Sequence, residues 1–381
     1  MIFNKRKWVQ LGMSIGLLLS ALGISAQEIA LDEETFFVAF IPNVQFAPLY
    51  VGIEQGIFAD ANIQLTLQHG DEPLGVDLIS SGQLNFGLIS GEQVILARSQ
   101  DRPIKTIFQW FQAYPIAVVA TLESGIESVE DLRGRTVGIP GRFGLSYSGL
   151  TAILEAHDMT EADINLQEIG FNAPEVVCVG GVEASVVYMN NEPLQIANRA
   201  ELGDCGDVTG VRVFPVSDAA SLVASSLVTN ETMITEHADL VQRMVDAYHV
   251  SLQVAIQNPA QAYLDSAGHV EGLFLEPELQ TALEEIAEVR TVFLAENPDV
   301  TREQDIEYRR TLRAELGETF DSSTLLQFDV LLASIDLWDA DVLGAIDPEA
   351  WETSQSVLMQ IDMLTAPIDL TEAYTAEFLT E

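Results

Sequence analysis

Residues 40–58, FIPNVQFAPLYVGIEQGIF, follow an apolar run that begins at Phe36 and lead into an apolar helical pattern. Pro42 separates the two, so the stretch predicts a strand over Phe36–Ile41, a turn, and a helix over Phe46–Gln55. In open α/β sheets, ligands bind where strands end and helices begin, and this junction is therefore a candidate ligand site. The turn carries two neutral amides and one aromatic ring, which are Asn43, Gln45 and Phe46.

The alternation of strand and helix continues along the chain, which predicts two α/β lobes with mostly parallel sheets. In the first series, strands are predicted at 63–67, 85–89 and 104–110, and helices at 75–80 and 91–100. In the second series, Ser128 caps a short helix, strands are predicted at 136–139, 164–169 and 182–188, and a longer helix is predicted at 146–157.

The remainder of the chain is predicted to be almost wholly helical. Its predicted helix starts are at Thr235, 258–259, 276–277 and Thr301, which carry capping or proline signals. We therefore expect a discontinuous lobe I, a lobe II and a helical C-terminal extension, with the chain crossing between the lobes near 115–121 and 214–221. The expected bounds are 35–118 and 218–381 for lobe I, and 119–217 for lobe II.

The N-terminus is typical of a secretory signal, predicted at 1–26. Lys5, Arg6 and Lys7 precede an apolar stretch, and Ala26 is a plausible cleavage point. An uncleaved anchor is the alternative. The length of 381 residues and a hydrophobic content of 48% are enough for two packed lobes. We expect an exported protein that acts at the outer face of the membrane or in the periplasm.

The chain is strongly acidic: Asp and Glu outnumber Lys and Arg by 58 to 17, for a formal net charge of −41. Cleavage after Ala26 would change this to −44 and leave Lys105 as the sole lysine. Such a charge disfavours nucleic acid and anionic membranes as partners. A solvated, salt-tolerant exterior explains the acidity better than an acidic binding site does.

Cys178 and Cys205 are the only cysteines. In an exported protein this pair predicts a disulfide, which on the chain-entropy argument would stabilise the fold by about 3 kcal/mol. No histidine lies between them, so the pair fits no zinc pattern. Histidines elsewhere are scattered, and no pattern typical of a catalytic nucleophile is present, so we expect neither a metal nor a cofactor.

Four longer stretches resemble the periplasmic substrate-binding proteins of ABC importers, in the branch related to thiamine-pyrimidine precursor synthases. The resemblance covers roughly residues 36–260. It implies a type II periplasmic-binding fold whose two lobes close on a small molecule. The stretches are PNVQFAPLYVGIEQGIFADANIQLTL, LISSGQLNFGLISGEQVILARSQDRPIKTI, SVEDLRGRTVGIPG and GVEASVVYMNNEP.

Within this family, IPNVQFAPLYV and YMNNEP look most similar to riboflavin-binding members, and binders of pyrimidine precursors are near relatives. The enzymatic branch uses a cysteine cluster with iron and consumes a histidine and a lysine. This chain has no such cluster, and Lys105 lies at the start of a predicted strand. The resemblance therefore implies a receptor rather than an enzyme.

The candidate binding residues lie where predicted strands end. Neutral amides carry donors and acceptors together, which suits a ring with carbonyl and N–H edges. Trp110 could stack on such a ring or fill the core, and strand alternation predicts that only one of Trp110 and Phe111 faces the cleft. The alternative is that Asn43, Ser90 and the Asn-Asn-Glu-Pro stretch form only turns and caps. The candidates are Asn43, Gln45, Phe46, Ser90, Gln93, Trp110, Gly144, Ser146, Tyr147, Tyr188, Asn190, Asn191 and Glu192.

The expected function is that of a monomeric, non-enzymatic receptor that binds riboflavin between its lobes and docks on an ABC-transporter permease. In this reading Trp110 or Tyr188 stacks on the ligand, and Glu192 accepts a charge-assisted hydrogen bond. A thiamine pyrimidine precursor is the alternative ligand. An enzyme that acts on a pyrimidine is the third hypothesis.

Overall fold

The computed structural model describes residues 31–273 and 275–379. The signal predicted at 1–26 lies outside them. The described part forms strands β1 Asp32–Ala39, β2 Ile63–Gly70, β3 Phe86–Ser90, β4 Ile104–Gln109, β5 Ile116–Thr121, β6 Thr136–Ile139, β7 Asn165–Glu168, β8 Ala184–Tyr188, β9 Val211–Pro215 and β10 Ser225–Asn230.

The strands form two five-stranded sheets, in the orders β2-β1-β3-β10-β4 and β7-β6-β8-β5-β9. In the first sheet β10 runs antiparallel to both of its neighbours, and in the second sheet β5 does the same. The remaining pairings are parallel. Each antiparallel strand is the first one that the chain forms after it crosses from the other sheet. The predicted class, two α/β lobes, is confirmed, but the sheets are mixed rather than mostly parallel, since half of the strand pairings are antiparallel.

The first crossing is earlier than predicted. The chain leaves the first sheet after Gln109 and enters the second at Ile116, so the stretch 115–121 is mostly strand β5. Residues 116–118, which the sequence analysis assigned to lobe I, therefore lie in the sheet of lobe II. All residues of β5 are buried, because it pairs with β8 on one side and β9 on the other. The second crossing follows β9 over residues 216–224.

Helices cover both sheets and form the extension. Their bounds are α1 Ala47–Glu54, α2 Ile57–Asp60, α3 Glu72–Ser80, α4 Gly91–Arg98, α5 Gly144–Ala156, α6 Ala173–Cys178, α7 Glu192–Glu201, α8 Glu231–Glu236, α9 Ala238–Gln257, α10 Pro259–Ser266, α11 Pro277–Glu296, α12 Arg302–Gly317, α13 Ser322–Trp338 and α14 Pro348–Gln360. None of these helices is both long enough and apolar enough to cross a membrane.

Most of the predicted helix starts in the extension are confirmed. Asn258 caps α10, Pro277 begins α11, and Thr301 forms a capping box with Gln304 at α12. The start predicted at Thr235 is wrong. Asn230 caps α8, so that helix begins earlier, and the chain breaks at His237 before α9.

The extension packs on both lobes. α9 and α10 pack against α1 of lobe I, whereas α13 contacts the turn at 44–46 of lobe I and α7 of lobe II. α14 lies against α4 of lobe I and α5 of lobe II. In lobe II a disulfide joins Cys178 and Cys205, which ties the end of α6 to the loop after α7.

Candidate ligand-binding site between the two lobes

The backbone after β1 is held in an unusual conformation at the cleft. Phe40 has a φ of 141°, a value that residues with side chains rarely adopt. The Phe40 N–H donates to the Gly70 carbonyl at 3.1 Å, and the Phe40 carbonyl oxygen lies 2.9 Å from His69 Nδ1. Burial lowers the pKa of His69, which keeps the ring neutral. The conformation brings the Phe40 ring to the cleft.

The three predicted residues of the next turn have different positions. Asn43 caps the 3-10 turn Val44–Phe46 by accepting from the Gln45 N–H at 3.0 Å, and it does not line the cleft. Gln45 and Phe46 line it. The Gln45 side chain accepts from Asn190 Nδ2 at 2.8 Å, which joins the lobes. Asn43 thus forms the turn that presents the other two.

The cleft between the lobes has a volume of about 720 Å³, including its open mouth. The cleft is lined by Ala39, Phe40, Gln45, Phe46, Gly70, Glu72, Leu88, Trp110 and Phe111 from the lobe I side, by Pro140, Phe143, Gly144, Leu145, Ser146, Phe171 and Tyr188 from lobe II, and by Ser225 at the start of β10.

Aromatic rings from both lobes dominate the walls of this cleft. On the lobe I side, Trp110 lies with its ring centroid 5.6 Å from Phe46 and 4.5 Å from Phe111. Across the cleft, Phe40 contacts Phe171 edge-on at 4.6 Å. The expectation that only one of Trp110 and Phe111 lines the cleft is wrong. Both lie beyond the end of β4, where strand alternation no longer applies.

A pair of buried carboxyl groups lies beside the cleft in lobe I. Glu72, at the start of α3, lines the cleft and accepts from the Ser90 N–H at 2.5 Å. The Ser90 hydroxyl donates to Glu92 Oε1 at 2.6 Å. Burial raises the pKa of both carboxyls, and the charge of Glu72 raises that of Glu92 further. Neither Ser90 nor Gln93 lines the cleft, although both were expected to bind the ligand.

In lobe II, the loop before α5 reaches the cleft as predicted, but not with every residue named. Gly144 and Ser146 line the cleft. Gly144 has a φ of +62°, and a Cβ added there would collide with Glu72 Oε2 across the lobe boundary. Tyr147 points elsewhere: its hydroxyl donates to Glu161 at 2.9 Å, next to Arg142.

The stretch after β8 joins the lobes more than it lines the cleft. Of the four residues predicted there, Tyr188 alone is a lining residue. Asn190 is 2% exposed and donates to Gln45 and to Ser334 Oγ of α13, at 2.8 and 2.7 Å. Asn191 accepts from Gln195 at 2.7 Å. Neither asparagine has a positive φ, so they do not form the left-handed turn considered as the alternative.

Glu192 caps the turn before α7. Its carboxylate accepts from the Tyr188 N–H at 2.9 Å, and burial raises its pKa to about 7. It does not line the cleft, so the hydrogen bond to a ligand expected from the sequence is not supported by its position. Glu72 is the carboxyl group that the structure places at the cleft wall.

Sequence reasoning missed several lining residues, including Phe40, Glu72, Phe143, Phe171 and Ser225. Glu72 follows β2, so its place at a strand end was the signal that could have found it. Phe171 similarly follows β7. Among the residues that the structure describes, no group of histidine, cysteine and acidic side chains is arranged to hold a metal ion.

The chain is similar to a known family over much of its length. A model of the family described as NMT1/THI5-like matches residues 43–262, a range that contains all of the predicted binding residues. The riboflavin-binding protein RibY of Chloroflexus aurantiacus is 35% identical over 61% of this chain and 65% of its own length. The match thus spans just under two thirds of that relative.

Two further relatives are more distant. The formylaminopyrimidine-binding protein of Halalkalibacterium halodurans is 26% identical over 61% of this chain and 69% of its own length. The 4-amino-5-hydroxymethyl-2-methylpyrimidine phosphate synthase of Legionella pneumophila is 22% identical over 60% of this chain and 71% of its own length. The relatives therefore include two binding proteins and one enzyme.

Solved structures share the fold at low sequence identity. A protein from Bordetella bronchiseptica RB50 superposes with a TM-score of 0.60 and 14% identity, covering 92% of this chain and 97% of its own. The ligand-binding component of an ABC-type import system from Staphylococcus aureus, with zinc bound, gives 0.58 and 13%, over 91% and 97%. The shared fold is that of periplasmic binding proteins, which confirms the predicted architecture.

Proposed function

The chain belongs to the NMT1/THI5-like family, and from that premise we propose that it is the extracytoplasmic binding protein of an ABC importer and takes riboflavin into the cleft between its lobes. The observation that carries this proposal is the set of aromatic rings that both lobes contribute to one cleft. Trp110 and Phe46 come from one side, and Tyr188, Phe171 and Phe143 from the other.

The isoalloxazine of riboflavin is a flat system of three fused rings, and aromatic walls on both faces suit it. Stacking on aromatic side chains contributes about 1–3 kcal/mol per base-like ring. A single pyrimidine ring would leave part of this aromatic set without a contact. The name of the relative that is 35% identical, a riboflavin-binding protein, supports the same ligand.

A small number of polar groups interrupt the aromatic walls and would fix the orientation of the ring. Gln45, Ser146 and Ser225 offer neutral donors and acceptors, and Glu72 offers a carboxyl group. The indole N–H of Trp110 is buried and finds no hydrogen-bond acceptor among the described residues. These groups match the carbonyl and N–H edge of an isoalloxazine.

A thiamine pyrimidine precursor is the second candidate, and the position of Glu72 favours it. An aminopyrimidine presents a ring nitrogen beside an amino group, and a carboxyl group can pair with both. The relative named for formylaminopyrimidine binding supports this reading.

The proposal does not include turnover. Cys178 and Cys205 are bonded to each other, so neither offers a thiolate for the cysteine cluster of the enzymatic branch. Lys105 donates to the Thr371 carbonyl at 3.0 Å and lies outside the cleft lining. The proposed role is therefore capture and delivery: the lobes close on the ligand, and the closed form docks on a membrane permease.

Titration with riboflavin tests this function directly. We expect saturable quenching of flavin fluorescence together with a change in tryptophan fluorescence. Replacement Phe171→Ala should weaken binding about tenfold or more, because it removes one cleft wall. Phe293→Ala on α11 removes a partly exposed ring outside the cleft and is the matched control. If riboflavin produces no quenching while a formylaminopyrimidine binds calorimetrically, the riboflavin proposal is wrong and the second candidate takes its place.

A further inference from the structure

Two buried carboxyl groups lie along the boundary between the lobes, joined by one serine. Ser90 donates its N–H to Glu72 and its hydroxyl to Glu92, at 2.5 and 2.6 Å. Glu72 is at the cleft wall and Glu92 lies behind it on α4, with only 2% of its surface exposed. We name Glu72, Ser90 and Glu92 the carboxyl seam.

Lobe II closes over this seam with helix α5. A Cβ at Gly144, the first residue of α5, would collide with Glu72 Oε2. One turn further along α5, Ser148 lines a small gap together with Glu92 and Tyr114. The lobe boundary beside the cleft is therefore made by two carboxyl groups of lobe I against one helix of lobe II.

The titratable groups that face the seam from its neighbours are tyrosines and a further glutamate. Tyr114 comes from the first crossing segment, and its hydroxyl donates to the Leu145 carbonyl at 2.8 Å. Tyr188 comes from the end of β8, and Glu192 lies beyond it. Among the described residues, no lysine, arginine or histidine contributes to the pKa shifts of Glu72 and Glu92. No cation thus offsets two buried negative charges.

Two buried polar atoms at the seam and the cleft have no hydrogen-bond partner among the described residues. These are Glu92 Oε2 and the indole nitrogen of Trp110. Unsatisfied buried polar atoms are uncommon in folded proteins, and each requires an explanation. A proton accounts for the first, since a neutral carboxyl is much less costly to bury than a carboxylate. The second belongs to a residue of the cleft wall, where a bound ligand would be able to supply the missing acceptor.

We propose that the lobes close on their ligand only when the carboxyl seam holds a proton, so that ligand binding takes up a proton and Glu72 meets the ligand as a neutral acid. The inference rests on the proposed function for the identity of the site. A neutral carboxyl both donates and accepts, so the seam selects a ligand with a carbonyl or ring nitrogen next to an N–H. It disfavours a cationic ligand.

The direction of the pH dependence follows from burial. Burial raises the pKa of Glu72 and Glu92 above the ordinary value of 4.5. Opening the lobes would take α5 off the seam and let water reach Glu72, which would lower the pKa of the pair toward that value. The closed form therefore binds protons more tightly, is favoured as the pH falls, and is lost as the pH rises through the raised pKa of the pair.

The test measures how many protons are taken up with riboflavin. Calorimetric titrations in buffers of different ionisation enthalpy, at about pH 7, should show uptake of about one proton per ligand by the unaltered protein. The dissociation constant should rise with pH, by up to about tenfold per unit. The double variant Glu72→Gln, Glu92→Gln should take up none, and its affinity should not change with pH.

Glu34→Gln is the matched control. Glu34 is a buried glutamate of lobe I with a raised pKa. Its carboxylate accepts a hydrogen bond from Asn85 and does not line the cleft. This variant should keep the full proton uptake. The single variant Glu92→Gln, which leaves the cleft wall intact, serves if the double variant does not fold. It should shift the pH dependence of affinity to lower pH.

A second arm uses the protein without ligand, so that failure of the inference and failure of the proposed function can be told apart. As the pH rises from about 5 to about 8, the ligand-free protein should lose the protonated closed form that it populates at low pH, so its thermal midpoint should fall relative to that of Glu92→Gln. If riboflavin does not bind, the proposed function is wrong, and the thermal midpoints of the ligand-free protein alone test whether the carboxyl seam retains a proton. Equal proton uptake in the unaltered protein and the double variant, or midpoints that change in parallel, would overturn the inference.

Discussion

The two lobes approach closely at Gly144, where the cleft leaves little room for a side chain. Gly144 combines a φ of +62° with a position where an added Cβ would collide with Glu72 Oε2 of the other lobe. A side chain there would be strained by the backbone and would also separate the lobes. Glycine is therefore favoured here for two reasons, the backbone conformation of the loop and the lack of space at the lobe boundary.

We therefore expect Gly144→Ala to raise the dissociation constant for riboflavin at least about tenfold, because the methyl group holds the lobes apart where the cleft closes. Gly125→Ala is the matched control, since Gly125 has a φ of +72° and no atom within 4 Å of the added Cβ. Both variants should lose about 1 kcal/mol of stability from backbone strain. Equal affinity of the two variants in a fluorescence titration would contradict the role given to Gly144.

Glu192 illustrates a different residue-scale effect, on stability. Burial raises its pKa to about 7 from an ordinary value of 4.5. The folded state thus holds this proton more tightly than the unfolded state. Its contribution to stability is present at low pH and is lost as the pH rises through about 7.

The free energy of unfolding should accordingly fall, relative to that of Glu192→Gln, by about 2 kcal/mol between about pH 5 and about pH 8. Urea titrations at each pH measure this difference. Glu155→Gln, which changes an exposed glutamate on α5, is the control. A difference between the unaltered protein and Glu192→Gln that stays constant with pH would show that this carboxyl does not retain its proton on folding.

For single residues, the sequence predicted better which side chains lie near the cleft than which atoms they contact. Gln45, Phe46, Trp110, Gly144, Ser146 and Tyr188 reach the cleft because each follows a strand end or begins a helix there. Glu72 was missed because, in a chain with 58 acidic residues, one more glutamate before a proline gives no signal of its own. Glu72 is distinguished by its burial, and one of the residues beside its carboxyl group is Gly144, which lies 72 positions further along the chain and in the other lobe.

At the scale of elements, helix α13 is the part of the extension that joins the lobes near the cleft. Ser334 on its buried face accepts from Asn190 of lobe II, and Asn190 also donates to Gln45 of lobe I. Further out, Ser323 donates to Asn198 of α7 at 2.9 Å in an exposed position. The buried bonds should therefore matter more than the exposed one.

We expect Asn190→Ala to reduce the free energy of unfolding by about 1–3 kcal/mol, because it leaves Gln45 and Ser334 without their donor in a buried place. It should also weaken riboflavin binding and favour an open form in small-angle X-ray scattering. Ser323→Ala removes a bond from the same helix at its exposed end, and it should change each quantity much less. If the two variants behave alike, α13 does not hold the lobes through Asn190.

Helices and strands were predicted correctly where the residues that determine them lie close together in the sequence. Caps at Asn258 and Thr301 act within three residues, and the helices that they begin were found. β5 was read as a crossing because a continuous apolar run does not reveal which sheet it joins. Its place between β8 and β9 is determined by strands that lie about 70 to 100 positions later in the chain.

At the scale of the whole molecule, charge sets a condition on stability. With 58 acidic and 17 basic residues, most carboxylates have no basic partner and repel one another across the surface. Compaction brings these charges together, so the repulsion acts against folding. The buried pair Arg290–Asp305 in the extension is little affected by salt, whereas the exposed carboxylates are screened.

We therefore expect salt to stabilise the protein. Raising the ionic strength from about 0.01 M to about 1 M shortens the screening length from about 30 Å to about 3 Å, and the thermal midpoint should rise by roughly 5 °C. Sodium chloride and sodium sulfate at matched ionic strength separate screening from ion-specific effects, since screening alone predicts equal shifts. The shift should shrink below about pH 4, where carboxylates lose their charge. A midpoint that is unchanged or lowered by sodium chloride would mean that repulsion among the carboxylates does not limit the stability of this fold.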